Sequence, residues 1–125
     1  MSIEKYREEI INELLKIGCD DLVHIADLIW LASSIGGEST SEGIKRTVID
    51  LISVVLEKEL MVIGDVSNKG FSEWGIALDK VVDQIEYRWS ALTRDPLPGD
   101  ICWLAITSKG RGLWETELRE GQSLP

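Results

Sequence analysis

Few side chains in this chain have the types needed for covalent or acid–base chemistry. There is one histidine, His24, set between apolar residues of a helical stretch, and two cysteines, Cys19 and Cys102, far apart in sequence. A triad needs a nucleophile, a base and an orienting group, and no Ser and His arrangement with a third partner can be argued around His24. His24 also lacks the spaced ligand set of a zinc site, and the cysteines lack any paired metal-ligand spacing. They read as free thiols in a reducing compartment. Gly36-Gly37 precedes a helix but has neither the lysine nor the glycine spacing of a phosphate loop. The expectation is a protein that is not an enzyme and holds no cofactor or metal.

Carboxylates are the abundant reactive group. Against 13 Lys plus Arg stand 22 Asp plus Glu, a formal charge of -9. Numbers alone do not make acid and base roles. They do set the sign of the field, and that sign is wrong for nucleic acid, whose binders gain most of their affinity by neutralising phosphates. It suits a cationic protein partner, which an acidic surface attracts at long range. The residues singled out for partner contact are Asp79, Asp83 and Glu86 on one helix, with Glu73 and Trp74 just before it. Trp74 is one of five tryptophans and stands beside a glycine turn, either as an exposed anchor or as a staple of its segment to the core.

The elements that must position these residues follow from hydrophobic period. Ile3 to Ile17 reads as a first helix, with Tyr6, Ile10, Leu14 and Ile17 in one stripe and Gly18 ending it. Asp20 or Asp21 caps a second helix, in which Leu22, Ile25, Ile29 and Ala32 align, with Leu28 and Trp30 close to the same face. Ser39 with Glu42 matches a capping box, or Ser41 caps instead, and Ile44, Val48, Leu51, Ile52 and Val55 then form the buried face of a third helix. Leu60 to Val66 is a short apolar strand, and Ser67-Asn68-Lys69-Gly70 a turn. A fourth helix runs from about Gly75 to Leu92, stopped by Pro96 and Pro98. Ile101 to Thr107 is a second strand that pairs antiparallel with the first. Ser108 caps a last helix from about Lys109 to Glu120, with a hairpin strand as the competing assignment.

The chain is expected to be one domain, residues 1–125, mainly α with a small antiparallel β-hairpin (α+β), in the order α-α-α-β-α-β-α. The run Glu57-Lys58-Glu59-Leu60-Met61-Val62-Ile63-Gly64, where a helix ends directly in a strand, and Trp103-Leu104-Ala105-Ile106-Thr107-Ser108-Lys109-Gly110, a return strand and turn into a terminal helix, resemble a winged-helix domain. In that family the third helix reads the DNA major groove and the hairpin touches phosphates. Two departures stand out. Residues 67–99 replace the wing tip with roughly thirty residues carrying a helix, well beyond the usual hairpin loop. The third helix presents Glu42, Lys45, Arg46, Asp50, Ser53 and Glu57, a mixture without net positive charge.

In size, in acidity and in the segments Phe71-Ser72-Glu73-Trp74 and Gly99-Asp100-Ile101-Cys102-Trp103-Leu104, the chain is similar to small bacterial immunity proteins, including those of contact-dependent growth inhibition systems. The resemblance implies that it binds one cognate toxin domain, basic and a nuclease, and blocks its active site or substrate path. A winged-helix transcriptional regulator or an adaptor domain is the alternative. The polar run Ser2 to Glu9 and the lack of any long apolar stretch lead to the expectation of a cytoplasmic protein without membrane contact.

Overall fold

The computed structural model describes the backbone of residues 3–118 and the side chains of residues 7–116. It is a mixed α+β fold of five helices and a four-stranded antiparallel sheet. In chain order the elements are α1 (Ile3–Asp20), β1 (Val23–His24), α2 (Ile25–Ser34), α3 (Ser41–Glu57), β2 (Met61–Ser67), β3 (Gly70–Glu73), α4 (Leu78–Ser90), β4 (Trp103–Ile106) and α5 (Ser108–Leu113). The last of these continues as a π-helical turn over Trp114–Leu118. The sheet order is β1-β4-β2-β3.

The expected pairing of the two apolar strands is present, with Met61 opposite Ile106 and Ile63 opposite Leu104. Leu104 is fully buried and Ile63 nearly so, and both join the one apolar cluster of the chain's described residues with Ile10, Leu14, Leu28, Leu51, Ile52 and Val55 from the three N-terminal helices. Burial of this kind is the main favourable term in folding, ~25 cal/mol per Å² of apolar surface.

The observed order is α-β-α-α-β-β-α-β-α, so it differs from the expected one by two strands. Val23 and His24 form a strand that pairs with Leu104 and Trp103. His24 therefore caps α2 in place of Asp20 or Asp21. Its ring Nδ1 accepts from the Asp27 N–H at 3.4 Å, while an Asp27 carboxylate oxygen accepts from the His24 N–H at 3.3 Å. The predicted turn at Ser67 to Gly70 closes a hairpin, and β3 pairs back on β2 from Gly70 to Glu73. The 67–99 excursion thus begins as sheet.

Helix ends also shift. α1 runs through Gly18 to Asp20, and a Cβ on that glycine would meet the terminal methyl of Met61 at 2.8 Å, which that side chain would have to shift to relieve. Thr40, between the two serines considered as caps, accepts from the Gly43 N–H at 3.0 Å and starts α3. Thr107, not Ser108, caps α5 by accepting from the Gly110 N–H at 3.0 Å. Residues 108–118 are helical, which decides against the hairpin strand there; 119 and 120 of that expectation lie outside the described residues, as does the Tyr6 side chain.

The α3-to-β2 junction is tightly specified. The Leu60 N–H donates to the Val55 carbonyl at 2.8 Å and the Glu59 N–H to the Leu56 carbonyl at 3.0 Å, the pair of bonds of a Schellman motif. Its left-handed position, usually glycine, is Glu59 at φ 61°. The Thr107 hydroxyl donates to the Glu59 carbonyl at 2.6 Å and the Thr107 N–H to the Leu60 carbonyl at 3.0 Å, which ties the end of β4 to the start of β2.

Candidate interaction surface

The inserted segment is built onto the sheet before it becomes a helix. After β3, the Trp74 N–H donates to the Ile63 carbonyl at 3.0 Å, and Gly75 at φ 62° turns the chain toward α4. Val81 and Ile85 bury the inner face of α4, which packs against α3. The insertion therefore lies on the core. Asp79 in its first turn and Arg88 in its last match the helix macrodipole.

Arg88 fixes this helix to the strands. Its guanidinium donates to Asp65 on β2 at 2.7 and 3.3 Å and to the Ile101 carbonyl at 2.9 Å. The same group lies over the Trp74 ring, 4.9 Å from its centroid. With its amide oxygen turned toward Arg88, Gln84 accepts from Nε at 3.1 Å. The hydrogen bond from Arg88 is the main reason the Asp65 carboxyl titrates below its ordinary value; partial burial opposes it, and the nearby Trp74 indole and the Arg88 charge help it. The indole nitrogen reaches toward that carboxylate without hydrogen-bonding geometry, and is buried with no partner. Trp74 is half-buried and packed on the core, in the staple role weighed for it from the sequence.

The other residues singled out from sequence fare differently. Asp79, Asp83 and Glu86 are all exposed, spaced four and three apart on the solvent side of α4. None of them forms an ion pair or side-chain hydrogen bond among the described residues, whereas Asp50, Asp65 and Asp100 each pair with an arginine. Glu73, at the end of β3, is exposed as well and stands apart from this stripe, on the side toward the α3 terminus.

One residue was missed. Tyr87, 75% exposed, continues the stripe one turn beyond Asp83. Its spacing of four from Asp83 and eight from Asp79 was available in the sequence, but a search for charge passes over a tyrosine. Trp30, expected near the buried face of α2, is also exposed, at 62%.

The third helix offers no cationic strip. Arg46 lies 3.8 Å from Glu42 on the same helix, and Asp50 is held at 2.7 Å by Arg7 of α1. The Ser53 hydroxyl donates back to the Ile49 carbonyl at 2.9 Å.

Elsewhere the chemistry-bearing side chains are absorbed by the fold. His24 caps α2 and meets Trp103 edge-on at 5.6 Å. Cys102 is buried, and that burial pushes its thiol up to about 12. Neither cysteine is in a disulfide. Among the described residues no group of three or more His, Cys, Asp or Glu could hold a metal ion, and no helix is long and apolar enough to cross a membrane.

Comparison with family models, with curated proteins and with solved structures finds no match for this chain.

Proposed function

We propose that this chain is an immunity-type inhibitor that binds and neutralises a basic toxin domain, a nuclease, in the cytoplasm. The observation that carries the reading is the outward stripe of α4, Asp79, Asp83, Glu86 and Tyr87, exposed and without internal partners. Like charges at helical spacings of three and four weaken a helix by a few tenths of a kcal/mol per pair. Apart from Asp79, which suits the positive end of the helix dipole, the stripe therefore adds little to stability. What it does supply is a negative field to steer a cationic protein, with a tyrosine, a side chain enriched at binding hot spots, at its end. A nuclease must keep a positive groove for its own substrate, which makes it a natural target for such a face.

The regulator reading draws support from α3 running straight into β2, with β4 returning beside it. Against it stand the lack of net positive charge on α3 and the packing against it of α4, whose exposed side carries Asp79, Asp83 and Glu86 with Lys80 as the one cation. Acidic groups held against phosphates oppose binding.

Association kinetics with any basic, nuclease-like domain found encoded beside this chain test the proposal. An on-rate that falls as salt rises, together with loss of toxin activity on mixing, is the expected result. Failure to bind any such domain, with a mobility shift on the chain's own promoter at physiological salt, overturns it.

A further inference from the structure

A groove of about 510 Å³ opens where the end of α3, strand β2, the start of α4 and the start of α5 meet. That size lies within the ~300–1,000 Å³ range of ligand clefts. Its apolar lining includes Leu56, Ile63, Ile76 and Leu78, and Ile76 is 46% exposed. Three carboxylates stand around this lining, Glu57 and Glu59 from the C-terminal end of α3 and Glu73 from the end of β3, against one cation, Lys109. All three are exposed, and none is in an ion pair among the described residues.

An apolar bed edged with unpaired carboxylates matches one kind of side chain. Lysine and arginine lay an aliphatic stem along apolar surface and keep the charged head at a polar edge. A neutral apolar ligand would use the bed and leave the carboxylates without a role. An anionic ligand, phosphate backbone included, would meet three like charges.

We infer that the groove seats a short Lys- or Arg-bearing segment of a protein partner, with the stem on Leu56, Ile63 and Ile76 and the head among Glu57, Glu59 and Glu73. This inference rests on the reading that the partner is a cationic protein, and it adds a second contact beyond the α4 stripe.

The probe is the peptide acetyl-Leu-Arg-Ile-Lys-Leu-amide, titrated into the full chain at physiological salt while methyl resonances are followed. Saturable shifts at Leu56, Ile63, Ile76 and Leu78 are expected. Binding should weaken about tenfold or more for a peptide with citrulline and acetyl-lysine in place of Arg and Lys, and likewise for the E57Q/E59Q/E73Q chain, whose exposed positions leave folding intact. Equal affinity for the neutral peptide, shifts spread without saturation over all acidic surfaces, or tighter binding of an acidic peptide or of duplex DNA would overturn it.

Two variants separate this inference from the proposed function. If the neighbour-encoded toxin binds the E57Q/E59Q/E73Q chain normally but the Asp79, Asp83 and Glu86→Ser chain slowly, the groove assignment fails and the inhibitor reading stands. If the groove takes the basic peptide as described while that toxin is not bound, the inhibitor reading fails and the groove assignment stands.

Discussion

Arg88 and Asp65, 23 residues apart, form a two-pronged ion pair at 2.7 and 3.3 Å that joins the inserted helix α4 to strand β2. Its shared donor also holds the carbonyl of Ile101, a β-branched residue at φ 64° in the left-handed region. The pair thus stands where the chain must bend unfavourably to re-enter the sheet. Replacing Arg88 by Met keeps the stem and removes the charge and the fork. Both partners are partly solvated, at 33% and 49% of side-chain exposure, so the full strength of a buried pair does not apply. Urea unfolding should show a loss of about 1–2 kcal/mol.

The same pair gives a pH dependence with a definite sign. The folded-state pKa of Asp65 lies below its ordinary 3.8, chiefly through the Arg88 hydrogen bond, so the unfolded chain takes up this proton more readily than the folded one. Its stabilising contribution is complete above 3.8 and is lost as pH falls through the lowered folded value. The stability gap between the native chain and Asp65→Asn should be widest at about pH 6 and close progressively in acid, as read from urea midpoints across that range.

Glu59 occupies a backbone conformation that glycine adopts freely, at the end of α3. Glu59→Gly should be more stable than Glu59→Ala by about 1 kcal/mol, since both lose the carboxylate but only alanine keeps the left-handed strain. Equal thermal stability of the two variants would contradict the left-handed assignment.

Cys102 should resist alkylation in the native chain. With its thiol at about 12, the thiolate fraction near pH 8 is roughly one in ten thousand, and the side chain is buried besides. Mass spectrometry after iodoacetamide treatment should find Cys102 unmodified without urea and modified with it.

Substituting Asp79, Asp83 and Glu86 together by Ser should leave stability within about 0.5 kcal/mol of the native chain, because these side chains hold nothing in place. Thermal melting checks it. A chain that melts normally and associates slowly locates the effect in binding.

The sequence showed the parts of this fold that repeat a signal. Ile63 and Leu104 face each other because each sits in an apolar run long enough to read as a strand, and α3 was legible because its buried residues, Val48, Leu51, Ile52 and Val55, recur at spacings of three and four. Short elements escaped. Val23-His24 is two residues of extended chain inside what scans as helical period, and its strand partners come from β4, eighty residues downstream in sequence order and invisible to local pattern. Gly70 to Glu73 is too brief to show alternation, so Gly70 reads as the end of the turn and Phe71 as the approach to the next helix. Where Ser39, Thr40 and Ser41 all carry hydroxyls, composition alone cannot choose the cap. Of the interaction surface, Asp79, Asp83 and Glu86 were found through charge. Tyr87 and the groove were not, because exposure of an aromatic and the meeting of four elements are properties of the folded chain.

Gly64 and Trp103 are the last rung shared by β2 and β4, and everything from Asp65 to Cys102 departs from and comes back to that rung. Strands paired this way stand ~5 Å apart, so the ends of the excursion are held at a fixed gap by the scaffold whatever lies between them. Such a chain is modular at one place: a different segment spanning the same gap could be grafted there, provided that it again covers the part of the core that Val81, Ile85 and Cys102 now close.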